Sequence, residues 1–116
     1  AIKLEVDYTV NSNRIIYFGF TYDGSCPTNN TDTLNSVNFY IDGQLYTTGK
    51  TIASRGNGFN SASEKISYPT GKKFRIGSRY TGNNGASSLF AVHIYNKALT
   101  ADEVRSNYEA TLGRYT

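Results

Sequence analysis

Tryptophan and methionine are absent, histidine and cysteine occur once each, and proline occurs twice. A single cysteine excludes an internal disulfide, so Cys26, beside Pro27, reads as a loop thiol or as the site of an intermolecular link. One histidine and no CxxC pair leave zinc binding unsupported. No run approaches the roughly 18 apolar residues of a membrane span. No signal-peptide pattern is legible, and the chain opens on Ala1 as a processed or trimmed chain would, so its targeting cannot be read. Charged residues are only 18% of the total, with 12 basic against 9 acidic and a net charge of +3. The pI near 9.0 suits extracellular domains and nucleic-acid binders alike and decides between neither.

What is present is aromatic and polar at once. Ten Tyr and six Phe alternate with Asn, Ser, Thr and 11 Gly over 116 residues, enough for one domain and one core, residues 1–116. Aromatic and β-branched residues separated by small polar ones fit pleated, half-buried strands joined by turns.

The pattern along the chain predicts an all-β sandwich closed by one short helix. Ile2, Leu4, Val6, Tyr8 and Val10 alternate with Lys3, Glu5, Asp7 and Thr9, the period of a strand with one wet face. Asn11-Ser12-Asn13 reads as a turn. Residues 14–22 (RIIYFGFTY) are apolar on both faces and predict a covered central strand, with Gly19 marking a bulge or a close backbone approach. Residues 23–36 are polar and read as a long surface loop.

Val37, Phe39 and Ile41 then alternate with Asn38 and Tyr40 and run into Asp42-Gly43, a hairpin signal with residues 44–48 as the return strand. Residues 49–63 read mostly as loop. Short strands are expected over 65–68 and 73–78 around the Pro69-Thr70-Gly71 turn, then a polar loop over 80–87. Residues 88–96 (SLFAVHIYN) are again apolar on both faces and predict an interior strand. Thr100 and Glu103 form a capping box, with Leu99 and Val104 as its staple. Val104, Tyr108 and Leu112 give an inward stripe, and Gly113 is a natural stop.

These residues resemble a known family. Phe20-Thr21-Tyr22-Asp23-Gly24, a loop, and Val37-Asn38-Phe39-Tyr40-Ile41-Asp42-Gly43-Gln44-Leu45 resemble the central hairpin of concanavalin A-like, laminin G-like jelly rolls. Phe74-Arg75-Ile76-Gly77-Ser78 is similar to the family's "I-G" strand. Val92-His93-Ile94-Tyr95-Asn96-Lys97-Ala98-Leu99-Thr100-Ala101-Asp102-Glu103-Val104 is similar to its closing strand and helix. The likeness covers residues 14–112. It implies an antiparallel jelly-roll sandwich incomplete at its N-terminus, because complete members are longer, and hence completion by another chain. Phe90-Ala91 stands where the family has an acidic pair, which puts any calcium role of that pair in doubt. The tail Glu103-Val104-Arg105-Ser106-Asn107-Tyr108-Glu109-Ala110 through Gly113-Arg114-Tyr115 is similar to endings of such domains in virion structural proteins of tailed phages and large DNA viruses.

Chemistry is sparse. A laminarinase-type glycosidase would need carboxylates as E-x-D-x-x-E, two of them about 5 Å apart. Glu5-Val6-Asp7 begins that pattern, but Val10 stands at its last position. His93 has no nucleophile motif beside it, and no glycine-rich phosphate loop opens a helix. No catalytic residue is assigned, and the chain reads as a non-enzyme. Asp23, Asn29, Asn30 and Asp32, or Asn83 and Asn84 with a neighbouring loop, are the oxygen donors a Ca²⁺ ion would use. Their spacing matches no defined ligand set, turn formation explains them equally well, and no cofactor is expected.

Carbohydrate binding is the use the resemblance implies. Tyr22, Asp23, Tyr80, Asn83 and Asn84 are the expected contacts, with Tyr40, Tyr46 and Tyr68 as further rings; each Tyr also fits an ordinary sandwich core. Lys72, Lys73, Arg75 and Arg79 form a basic row suited to an anionic partner or to a solvated edge. Aromatics interleaved on that face, as nucleic acid requires, are missing. The expectation is a non-catalytic recognition or structural module in a virion, partnered by other subunits. The alternatives are a secreted lectin-like domain and, more remotely, a glycosidase fragment.

Overall fold

The computed structural model describes residues 3–9, 14–25, 27–54, 70–71 and 88–115. Its elements run β1 (Lys3–Glu5), β2 (Phe18–Tyr22), α1 (Asn30–Ser36), β3 (Val37–Ile41), β4 (Gln44–Tyr46), β5 (Thr51–Ser54) and α2 (Ala101–Tyr115). They form a three-stranded antiparallel sheet in the order β2-β3-β4 and a two-stranded antiparallel pair, β1 with β5. The expected strands over 65–68 and 73–78, the Asn11-Ser12-Asn13 turn and Cys26 lie outside the described residues.

The hairpin is where sequence and backbone agree most closely. Asp42 and Gly43 take φ of 50° and 77°, the paired positive angles of a type I′ turn, whose twist matches that of the strands it joins. Phe39 then faces Tyr46, and Ile41 faces Gln44. Val37, Phe39, Tyr40 and Ile41 are all buried, so β3 is covered on both faces and forms the centre of the sheet. The residues before β2 are tied to the same turn. Arg14 donates to the Asp42 carboxylate at 2.5 Å and to the Tyr8 hydroxyl at 3.0 Å. The Tyr17 amide donates to the other Asp42 oxygen at 3.1 Å, and the Asp42 amide returns a bond to the Tyr17 carbonyl at 2.8 Å.

Several expectations need correction. Of residues 14–22 only Phe18–Tyr22 pair, and β2 is an edge strand among the described residues rather than a central one. Phe18 and Phe20 remain 54% and 66% exposed. Gly19 makes no bulge, because the β2–β3 register is unbroken from Phe18↔Ile41 to Tyr22↔Val37, and nothing lies within 4 Å of where its Cβ would stand. The strand at the N-terminus covers Lys3–Glu5, although its alternation persists beyond: Val6 and Tyr8 are half-buried, while Asp7 and Thr9 are exposed. The stretch expected to be loop holds β5, which pairs with β1.

The polar loop over 23–36 contains α1, so the described residues hold a second helix beside the expected C-terminal one. Residues 88–95 form no ladder and lie exposed, with Leu89 at 62% and Ile94 at 68%. The expected interior strand is therefore not interior in this chain alone.

The C-terminal helix starts as expected. The Glu103 amide donates to the Thr100 hydroxyl at 3.2 Å, and the Thr100 amide donates to the Glu103 carboxylate at 2.9 Å. Val104 is buried, Tyr108 is half-buried and Leu112 is exposed, so the apolar stripe fades along the axis. Gly113 does not stop the helix. Its φ is not positive, and α2 continues to Tyr115. The attachment to the sheet is aromatic: Tyr108 meets Tyr17 edge-on at 5.7 Å.

Candidate functional site

A polar concavity lies where β2 ends and α1 begins. About 440 Å³ in volume, it is lined by Asp23, Ser25, Pro27, Thr28, Asn29, Asp32, Asn35 and Ser36. Its wall is a helix because its polar side chains bond to their own backbone. Asn29 caps α1 by accepting from the Asp32 amide at 2.9 Å, and its amide group donates to the Asp32 carboxylate at 2.6 Å. The buried Thr33 hydroxyl donates to the Asn29 carbonyl at 2.6 Å, and the buried Ser36 hydroxyl donates to the Thr33 carbonyl at 2.8 Å.

The far end of the helix is closed from outside. The Lys50 ammonium donates to the Leu34 carbonyl and, at 2.8 Å, to the Val37 carbonyl. α1 has no basic residue of its own in its last turn, and Lys50 supplies the cation that such an end favours. Partial burial lowers the pKa of this ammonium. Across the floor of the concavity, the Asp23 amide donates to the Ser36 carbonyl at 3.0 Å, and the Asp23 carboxylate accepts from the Ser25 amide at 2.8 Å.

The concavity brings together three of the four expected loop oxygen donors, Asp23, Asn29 and Asp32. The helix cap already occupies Asn29 and Asp32. Among the described residues no three or more His, Cys, Asp or Glu side chains gather as metal ligands would. The arrangement offers carboxylate, amide and hydroxyl groups in an open hollow, a surface able to hydrogen-bond a polyhydroxylated molecule. Ser25, Thr28, Asn35 and Ser36 escaped the sequence reading. The Asn29-x-x-Asp32 spacing, a polar version of the capping box, marks where α1 starts but singles out none of these four.

The expected aromatic platform divides. Tyr40 is buried at 3% exposure and belongs to the core, not to a sugar face. Tyr46 stacks edge-on with Tyr8 at 5.4 Å and donates its hydroxyl to the Asp7 carbonyl at 2.6 Å, a structural use. Tyr22 is half-buried on β2, one residue before Asp23. Tyr68, Tyr80, Asn83, Asn84, Lys72, Lys73, Arg75 and Arg79 lie outside the described residues. His93 is exposed.

A second concavity, about 410 Å³, is lined by Tyr95, Lys97, Leu99, Asp102, Glu103, Ser106 and Asn107. Its groups are paired: Lys97 with Glu103 at 2.6 Å, and the Asn107 amide with the Tyr95 hydroxyl at 3.0 Å. These bonds, together with Phe90 and Tyr115 at 6.0 Å between ring centres, lay residues 90–97 antiparallel along α2. No helix among the described residues is long and apolar enough to cross a membrane. No family model, no curated protein and no solved structure matches this chain.

Proposed function

We propose that the chain is a non-catalytic structural and recognition module of a larger protein assembly. It is built on a concanavalin A/laminin G-like antiparallel sandwich and set in a virion structural protein such as a capsid decoration, fibre or spike. One observation carries the reading. Leu89, Phe90, Val92, Ile94 and Tyr95 are each at least 45% exposed along an extended segment, and Phe18 and Phe20 are exposed on the edge strand. Exposed apolar side chains in this number are what a protein interaction site carries, because leaving apolar surface in water costs about 25 cal/mol for each Å². The antiparallel β2–β3–β4 sheet with its Asp42-Gly43 turn supports the sandwich, as does the capped entry into α2.

Sedimentation velocity from micromolar to millimolar concentration tests the assembly reading. Association that weakens on replacing Leu89 and Ile94 by Ser supports it. A chain that stays monomeric, and whose binding of an apolar dye is unchanged by the two substitutions, overturns it.

The second reading, a secreted glycan-binding domain, is favoured by the hollow of Asp23, Asn29, Asp32 and Asn35. Glycan-array binding that is lost with Asp23→Ala supports that role. Binding indifferent to the substitution removes it.

A further inference from the structure

One modification signal stands in the chain. Of its twelve asparagines only Asn29 has Ser or Thr two residues on, with a residue other than proline between: Asn29-Asn30-Thr31. That triplet is the acceptor signal for N-linked glycosylation, and a chain carrying it once takes a single glycan.

The fold leaves the triplet at the surface. Asn29 is the extended residue before α1, with φ of −111° and ψ of 164°, and Thr31 lies in the first turn of the helix. Both residues are exposed.

The fold also accommodates the product. The Asn29 carboxamide caps α1 through its oxygen, which accepts from the Asp32 amide at 2.9 Å. Its nitrogen carries two hydrogens and gives one to the Asp32 carboxylate at 2.6 Å, and it makes no other bond among the described residues. Glycosylation replaces one hydrogen of this nitrogen. The carbonyl oxygen and the second hydrogen stay in place, so both bonds of the cap persist when the hydrogen outside it is the one exchanged.

We infer that Asn29 is a modification site, the acceptor of one N-linked glycan. The inference rests on the export half of the secreted reading above, because the glycan is added to exported chains. Its donor is a lipid-pyrophosphate-linked oligosaccharide of the export machinery. The bond from Asn29 Nδ2 to the anomeric carbon forms, and the bond from that carbon to the pyrophosphate oxygen breaks. The lipid pyrophosphate leaves with the electron pair, and the nitrogen gives up one proton.

The test is to express the whole chain behind a secretion signal in eukaryotic cells. The intact mass of the exported chain is expected to exceed 12.8 kDa by one glycan. Peptide N-glycosidase should remove the excess and leave an aspartate in place of Asn29. Thr31→Ala, which leaves the cap residue in place, should abolish the added mass with the far-UV circular dichroism retained. Asn29→Gln should abolish it too, and Thr31→Ser should keep it. An exported chain without the added mass overturns the inference, as does an N-glycan that persists in Asn29→Gln. Neither result touches saccharide binding in the hollow, which the Asp23→Ala array measurement decides by itself.

Discussion

Tyr108 of α2 lies against Gly43 of the hairpin turn so closely that a Cβ on residue 43 would stand 2.7 Å from the Tyr108 ring and 2.9 Å from its Cβ. The contact joins the two best-formed parts of the molecule, and it sets the first prediction. Gly43→Ala meets both a positive φ of 77° and this collision, and should destabilise the fold by about 2–4 kcal/mol in urea melts. Gly71→Ala, at φ 79° with open space around it, should cost about 1 kcal/mol, the backbone cost alone. Gly113→Ala, exposed within the helix, should instead stabilise by about 0.5–1 kcal/mol.

Lys50 closes the C-terminal end of α1 from another segment. Lys50→Met keeps the aliphatic stem but leaves the Leu34 and Val37 carbonyls without this donor. A loss of about 1–2 kcal/mol is expected in chemical denaturation. Lys50→Arg should restore part of it.

The Lys97 hydrogen bond, and after it the Thr100 amide, hold the Glu103 carboxyl below the ordinary carboxylate range. A carboxylate whose folded pKa is lowered favours the fold once pH exceeds its unfolded value, and that contribution drains away as pH falls through the folded one. Thermal stability should therefore decline in acid below the usual glutamate pKa. Glu103→Gln should flatten that part of the pH profile. An unchanged acid limb in the variant would show that the capping box carries no charge-dependent stability.

Cap and ligand contacts in the polar hollow should separate cleanly. Asn29→Ala removes the α1 cap and should cost about 1 kcal/mol. Asp23→Ala, at an exposed position, should change stability by less than about 0.5 kcal/mol. Glycan binding, if the hollow serves it, should respond to Asp23→Ala far more than melting does.

Local chemistry made parts of this fold legible in the sequence. Asp42-Gly43 has one comfortable geometry between two strands, and Thr100 with Glu103 has one comfortable role before an apolar stripe. α1 was opaque because Asn30–Ser36 has a single large apolar residue, Leu34, and therefore no helical period. Its Thr33 and Ser36 are held by hydroxyls bonding to nearby carbonyls, the same habit that makes these residues frequent in loops. The segment over 88–96 misled for a different reason. Apolar residues at both parities suit a strand covered on two sides, and the pattern does not tell such a strand from a segment laid along a helix. The hollow was half visible: Asp23, Asn29 and Asp32 were named from their oxygens, while Ser25, Asn35 and Ser36 entered only because the chain coils there.

Of the 15 residues of α2 only Val104 is buried, one turn from the start, and Tyr115 lies about 16 Å further along the axis. The free energy needed to open the helix must therefore fall steadily toward its last turn, and amide exchange should quicken in the same direction. Since Phe90 leans on Tyr115, the first turns to melt would also release one end of the apolar arm. Fraying at one tip of the molecule thereby governs how firmly that stretch is held against the helix.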